Sequence, residues 1–156
     1  LQVGADDYIP KPFSMIMIAT KIKNLFRTRY RAIEHYSNSL EVEPEKVALN
    51  PLDEELLKKA VAIVEKHMDN VEFSTEIFAR EMCMSRSNLH IKMKALTGES
   101  ANDFIRKMRF NQACKLLKEG KYTVSEISGM VGFNTPSYFA TSFKKYFGCL
   151  PSEYGK

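Results

Sequence analysis

Hydrophobic residues recur at helical spacing along most of the chain, and polar stretches mark where one helix gives way to the next. In residues 14–36, Ile22 and Phe26 lie one helical turn apart, and Ser14 is placed to cap the helix. Residues 37–51 are polar, contain two prolines and show no period, so we predict a linker with at most a short extended piece. A period of two never persists for long, and the pattern therefore predicts an all-α fold.

Start and stop signals divide the rest of the chain into further helices. A proline and several acids open the segment that begins at residue 51, which suits the positive end of a helix dipole. Gly98, Gly120 and Gly148 each follow a periodic stretch and are predicted C-caps. The predicted helical segments after the linker are 51–68, 74–82, 85–98, 100–120, 123–131 and 136–148.

A repeat relates two parts of this helical region. Residues 78–84 align with residues 127–133 at an offset of 49, and residues 89–98 align with residues 139–148 at an offset of 50. Each copy reads as a short helix, a tight turn and a longer helix, with the extra residue in the second turn. A small residue recurs in both short helices and allows a close crossing, so each copy is a predicted helix-turn-helix unit.

Helical phase, at about 100° per residue, separates the buried and exposed sides of the two longer helices. The predicted buried positions are Leu89, Met93 and Leu96 in the first copy, and Phe139, Phe143 and Tyr146 in the second. The predicted exposed positions are Ser87, Ile91 and Lys94, flanked by His90, and Ser137, Thr141 and Lys144, flanked by Ala140. The aromatic ladder at residues 139, 143 and 147 is therefore interpreted as core, not as a stacking platform.

Both exposed faces carry short polar or basic side chains and one or two small apolar ones, and neither carries an acid. Such a face suits a DNA major groove, where hydrogen-bonding groups and thymine methyl groups are read. An ordinary surface helix would more often carry Glu/Lys pairs. Two copies on one stiff helix would place their longer helices in successive major grooves, about 34 Å apart.

The charge distribution is compatible with a nucleic-acid partner. The net charge of +4 conceals an uneven distribution: residues 85–156 hold 12 Lys/Arg and 5 Asp/Glu, whereas residues 51–84 hold 4 and 8. A basic C-terminal half favours a polyanionic partner, although a solvated basic surface is an alternative that charge alone leaves open.

Enzyme and membrane classes find little support. The three histidines lack the HExxH spacing, and there is no GxGxxG, P-loop or nucleophile elbow, so we expect no catalytic site, metal or cofactor. Cys83, Cys114 and Cys149 show no CxxC spacing and are expected to be reduced thiols in a cytoplasmic protein. No apolar run approaches the roughly 18 residues that a membrane-spanning helix needs.

Four stretches closely resemble the AraC/XylS-type transcription regulators: MSRSNLHIKMKALTGES, FIRKMRFNQACKLL, TVSEIS followed by VGF, and PSYFATSFKKYFG followed by PSEY. The resemblance covers about residues 52–156. It implies a seven-helix domain at residues 51–156, with helix-turn-helix units at about 74–98 and 123–148 joined by a long helix. In that family the second helix of each unit enters DNA.

Carried over residue by residue, the resemblance agrees with the phase argument. Contacts to bases are expected from Ser87, His90, Ile91, Ser137, Ala140 and Thr141. Contacts to phosphates or the groove edge are expected from Arg86, Lys94, Thr135 and Lys144. One departure is Cys83, which stands in the first turn where the second turn has Gly132. If that position needs a positive φ, cysteine strains the turn by about 1 kcal/mol and is expected to reshape it slightly.

Residues 4–13, GADDYIPKPF, resemble the end of a response-regulator receiver domain: its last strand, a Lys-Pro bond and the final helix. The resemblance places Lys11 at the lysine that contacts the phosphoryl group and Tyr8 at the switch aromatic. Asp6 and Asp7 would be surface-turn residues, with the phospho-accepting aspartate upstream. Residues 1–27 would then be a receiver remnant of strand and helix, and residues 28–50 a helix extension and linker.

These resemblances imply the output domain of a two-component phosphorelay protein, and both a hybrid regulator and a stand-alone response regulator stay open as its parent. Double-stranded promoter DNA is the expected partner, and a homodimer through the helix at residues 14–36 is also expected. Contact with RNA polymerase is left open. No small-molecule ligand is expected. Histidine kinase activity and inner-membrane anchoring are left open for the parent. The alternative is a helical protein-interaction or dimerisation module without DNA specificity.

Overall fold

The computed structural model describes residues 8–154, and every regular element in that range is a helix, which confirms the predicted all-α class. The strand expected before Lys11 falls largely on residues 1–7, which lie outside the described range together with Asp6 and Asp7. In the described range the helices are α1 (Met15–Asn38), α2 (Pro44–Val47), α3 (Pro51–Lys66), α4 (Thr75–Glu81), α5 (Arg86–Thr97), α6 (Ala101–Glu119), α7 (Val124–Met130), α8 (Pro136–Phe147) and α9 (Pro151–Tyr154).

The helix ends form where the local signals predict them. Ser14 accepts a hydrogen bond from the Met17 backbone N–H at the start of α1, and Thr123 and Glu126 form a reciprocal capping box at the start of α7. Gly98, Gly120 and Gly148 end α5, α6 and α8 in the left-handed conformation. The pattern alone finds six of the seven helices from α3 to α9; the short α9 follows only from the family resemblance.

Two hydrophobic cores share α6. The first core contains the end of α1, α2, α3, α4, α5 and the α6 side chains up to Met108. The second contains the α6 side chains from Phe110 onward together with α7 and α8, and Leu40 and Tyr154 pack against it. Because both cores bury side chains from the same helix, α6 holds two small folding units that each have their own core.

The second core is built around aromatic rings. The Phe110 ring lies 5.6 Å from that of Phe133 and 5.6 Å from that of Phe143, between ring centres. Phe139 and Phe143 are fully buried, which confirms the interpretation of the aromatic ladder as core. The predicted burial of Tyr146 is wrong: Tyr146 is 43% exposed, because one side of its ring packs on Phe110 and the other reaches solvent.

The predicted linker is packed into the first core. Val47, in the short helix α2, is 2% exposed, and Tyr36, near the end of α1, is 1% exposed. The linker is thus helical at residues 44–47, where an extended piece was expected, because Pro44 supplies a preset first turn. Residues 36–47 belong physically to the domain that follows.

A buried lysine joins α1 to α6. The Lys107 side chain is 1% exposed; its Nζ donates to the Tyr36 carbonyl oxygen at 2.6 Å and lies 3.6 Å from the centre of the Tyr36 ring. The Glu99 carboxylate stands 3.7 Å from the same Nζ. Burial lowers the pKa of Lys107, and burial followed by the nearby Glu99 charge raises the pKa of Tyr36.

We predict that Lys107→Met destabilises the fold by about 2 kcal/mol, because the Tyr36 carbonyl loses its charged donor and the partly exposed Glu99 carboxylate loses the cation beside it. Urea unfolding followed by circular dichroism measures this. The matched control is Lys115→Met on the same helix, whose Nζ pairs with Glu41 at the surface and should change stability by less than about 1 kcal/mol. Equal effects of the two substitutions would contradict the role given to Lys107.

Candidate nucleic-acid interface

The short helices of the two helix-turn-helix units end with the same hydrogen bonds, although the second turn is one residue longer. The Met84 N–H donates to the Ala79 carbonyl at 2.9 Å, and the Phe133 N–H donates to the Ser128 carbonyl at 3.0 Å. Cys83 has a φ of 58°, in the left-handed region that glycine favours. Cys83 therefore adopts the strained conformation, but the expected reshaping of the first turn is wrong, because the hydrogen bonds of the second turn recur there.

The longer helix of the first unit, α5, buries Leu89, Met93 and Leu96, as the phase predicts. On its opposite side Ser87, His90, Ile91 and Lys94 are exposed. Ile91 is 63% exposed, so its methyl groups are accessible on this side of the helix. Arg86 is exposed and pairs with Glu76 of α4 at 2.9 Å, so a phosphate would compete with a weak surface ion pair for this guanidinium.

The longer helix of the second unit, α8, exposes Ser137, Thr141 and Lys144, and leaves Ala140 half-buried. The Thr135 hydroxyl accepts from the Tyr138 backbone N–H at 3.2 Å and so caps α8. This leaves the hydroxyl hydrogen of Thr135 able to donate to a phosphate oxygen.

The hydroxyl group of Thr141 is committed to its own helix, because it donates to the Ser137 carbonyl at 2.9 Å. Thr141 can therefore offer a groove only an oxygen acceptor and a methyl group. The hydrogen bonds of the described residues do not involve the Ser87 hydroxyl or the His90 ring, so both groups can bond to a partner. The two units thus present different chemistry: hydroxyl and imidazole with an apolar Ile91 on α5, and smaller groups on α8.

The connecting helix shows that both exposed faces border the same side of the molecule. Asn102 of α6 lines a hollow together with Ser87, His90 and Ile91. Arg106, one turn further along α6, lines a second hollow with Tyr138 and Thr141. Residues four apart lie on one helix face, so α5 and α8 turn their exposed residues toward one continuous surface.

Asn102, Arg106 and Tyr138 are absent from the list of expected contacts, as is Ser85, the N-cap of α5. The repeat could have found Ser85, since it is the counterpart of Thr135 at an offset of 50. Nothing in the periodicity of α6 marks Asn102 and Arg106, because their place beside α5 and α8 comes from how α6 packs between the two units.

The residues assigned to a receiver remnant lie far along the chain from this surface. Tyr8 is 70% exposed, and its carbonyl accepts from the Lys21 Nζ at 2.7 Å. Lys11 is exposed, and the Lys11–Pro12 peptide bond is cis. The roles of Tyr8 and Lys11 in a receiver stay predictions.

Within residues 8–154, no helix is both long enough and apolar enough to cross a membrane.

Comparison with known proteins gives a consistent result. Residues 78–156, just over half of the chain, match the family described as "Helix-turn-helix domain". The chain is 40% identical over 154 residues, 99% of its length, to histidine kinase P4 of Formosa agariphila, and it spans 11% of that longer protein.

Two solved structures share the fold. The C-terminal domain of the two-component response regulator YesN from Fusobacterium nucleatum has 27% identity and a TM-score of 0.60, covering 64% of this chain and 96% of that one. The DNA-binding domain of AdpA, solved in complex with a target DNA, has 28% identity and a TM-score of 0.59, with coverages of 63% and 87%. The chain therefore belongs to the helix-turn-helix domain family, among the AraC-type DNA-binding transcription regulators.

We predict that Cys83→Gly stabilises the fold by about 1 kcal/mol, because glycine adopts the positive φ of this turn without strain. Thermal unfolding measures the effect. Gly132→Ala is the opposite control: its Cβ would lie 2.6 Å from the Met68 carbonyl oxygen, and it should lower the melting temperature markedly. If the Cys83→Gly variant is less stable than the wild type, the positive φ of Cys83 does not strain the turn.

Proposed function

We propose that this chain reads two successive major grooves of promoter DNA, with α5 in one groove and α8 in the next. The observation that carries the proposal is the shared surface: two acid-free recognition helices expose polar and small side chains along one side of α6. The DNA complex of AdpA, with the same fold, supports duplex DNA as the ligand. When a protein contacts two successive major grooves on one side of a duplex, the centres of the two contacted sequences lie about one helical turn apart.

The proposed contacts divide by chemistry. Hydrogen-bonding or methyl contacts to base edges come from Ser87, His90, Ile91, Ser137, Ala140 and Thr141. Contacts to phosphates or the groove edge come from Arg86, Lys94, Thr135 and Lys144, which are all exposed. The net charge of +7 over residues 85–156, from 12 basic and 5 acidic residues, favours the approach of a polyanion.

We further propose that the domain at residues 51–156 is the output end of a longer phosphorelay protein in the cytoplasm, in contact with RNA polymerase at the promoter. The similarity to a histidine kinase supports a hybrid parent, since residues 1–27 align within the same protein. The response-regulator origin of the YesN domain supports the phosphorelay setting. The segment at residues 28–50 would connect the receiver end to the DNA-binding domain.

Selection of bound duplexes from a random pool tests this function. The expected product is a site with two preferred sequence blocks, centred about one helical turn apart, bound with an affinity that falls steeply as salt rises. A pool that shows no enrichment at any salt concentration would instead support the helical interaction module without DNA specificity.

We predict that His90→Ala and Lys94→Ala act differently on the selected site. His90→Ala removes a base-edge contact, so it should relax preference at particular base pairs by about 1–3 kcal/mol while leaving non-specific binding intact. Lys94→Ala removes a phosphate contact, so it should weaken binding to all sequences alike and reduce the salt slope by about one.

The matched control is Lys92→Ala, because Lys92 is exposed on the same helix but lies about 160° around it from Lys94. Fluorescence anisotropy on matched and mismatched duplexes reads out all three variants. An equal loss on every sequence for His90→Ala would assign His90 to the backbone, and a loss for Lys92→Ala would contradict the assigned face.

We also propose that two copies pair through α1. Its N-terminal part exposes a stripe of large apolar side chains: Met15, Ile16, Ile22, Phe26 and Tyr30 are between 47% and 80% exposed. Exposed apolar surface of this size is favourable to bury, and a second copy presents the same stripe.

We predict that the chain self-associates as its concentration rises and that Phe26→Asp shifts it toward monomer, because a carboxylate would be buried in the pairing stripe. Sedimentation velocity over a concentration series measures both. Asn24→Asp is the matched control, since Asn24 is exposed about 160° from Phe26 around α1 and should leave association unchanged. A monomer at the highest concentration would rule out this dimer.

A further inference from the structure

The two hydrophobic cores meet at one residue of α6. Met108 belongs to the first core and Phe110 to the second. Arg109 stands between them, and its pKa is lowered by burial. A charged side chain at the junction of two apolar cores is placed where it can reach backbone groups of both units.

Arg109 makes one hydrogen bond to each of the two folding units that share α6. Its Nη2 donates to the carbonyl oxygen of Asn70, which lies between α3 and α4 in the first folding unit, at 2.7 Å. Its Nη1 donates to the carbonyl oxygen of Gly132, in the turn of the second unit, at 2.8 Å. The planar guanidinium fixes these two donors relative to each other, so the two carbonyls are held at a set separation.

The turn of the second unit also lies directly against the first unit. A Cβ atom added to Gly132 would lie 2.6 Å from the Met68 carbonyl oxygen and 2.7 Å from Nη2 of Arg109. Glycine is needed here for its small size as well as for its φ of 71°. The first turn differs, because Cys83, at the equivalent position, is exposed. The junction is therefore a close backbone contact that Arg109 holds together.

We infer that Arg109 is a positioning residue that sets the angle between the two recognition helices, and through it the spacing of the two DNA half-sites that the protein accepts. The inference rests on the proposed two-groove function. The two hydrogen bonds of Arg109 tie the Gly132 turn, which leads into α8, to the connection between α3 and α4. Each base pair inserted between half-sites rotates one of them by about 34°, so a braced protein should tolerate such changes poorly.

The test measures binding to the selected duplex and to duplexes with one or two base pairs added or removed between the half-sites. The variant is Arg109→Met, which keeps a long side chain but has no donor. The ratio of dissociation constants for altered and optimal spacing should fall by about fivefold or more relative to the wild type. Arg109→Lys, with a single ammonium in place of the fork, should give an intermediate ratio.

Arg109→Met also lowers stability, so a destabilised control is needed. Leu116→Ala removes side-chain volume from the second core and leaves both hydrogen bonds of Arg109 in place. At a temperature where all variants are folded, Leu116→Ala should keep the wild-type spacing ratio. Loss of the spacing preference in both variants would overturn the inference, because it would follow from stability alone.

A second readout needs no DNA. Spin labels are attached to cysteines introduced by Lys92→Cys in α5 and Lys145→Cys in α8, and they report the distance between the two helices. Cys83→Ser and Cys149→Ser remove the other accessible thiols, whereas Cys114 is buried and is kept. The distance distribution should be narrow with Arg109 and clearly broader with Arg109→Met. An unchanged width, or an unchanged spacing ratio, overturns the inference. If the wild-type protein prefers no duplex over another, the proposed function is wrong. The width of the spin-label distance distribution then still shows whether Arg109 holds the two folding units together.

Discussion

One helix, α6, contributes side chains to both hydrophobic cores, and the relative position of the two helix-turn-helix units follows from this. Its 19 residues span about 28 Å, which is close to the roughly 34 Å between successive major grooves on one side of a duplex. Phe104 anchors one half of the helix and Phe110 the other, and both are fully buried. Each unit is too small to bury much apolar surface alone, so the helix that separates the recognition helices also stabilises both units.

The N-terminal helix packs against this arrangement through a buried polar contact at Tyr36 and an apolar contact at Ile33. Lys107, near the middle of α6, is covered by the Tyr36 ring and carbonyl, and Ile33 lies so close to Gly98 that an added Cβ there would be 2.7 Å from its side chain. Gly98 ends the first recognition helix. The end of α1 thus packs against both α6 and the C-terminal end of α5.

Much of this fold follows from local rules that act within a few residues. The offset of 49 before the turn and 50 after it reappears in α4 and α7, and in α5 and α8, because the turn itself holds the extra residue. The phase of α5 identifies its buried side correctly for Leu89, Met93 and Leu96. Phase fails for Tyr146, because a residue at the edge of a core is buried only as far as its neighbours extend.

The features that sequence reasoning missed depend on contacts between distant residues. Tyr36 and Lys107 are 71 positions apart, and Arg109 bonds to carbonyls 39 and 23 positions away. Neither a tyrosine at the end of a predicted helix nor an arginine in a basic helix reveals such pairings. The places of Asn102 and Arg106 beside α5 and α8 are likewise decided by helix packing.

Hydroxyl-radical footprinting on the selected duplex tests whether α5 and α8 occupy successive major grooves. We expect two protected patches on one side of the duplex, about ten base pairs apart. A single patch, or patches on opposite sides, would contradict it.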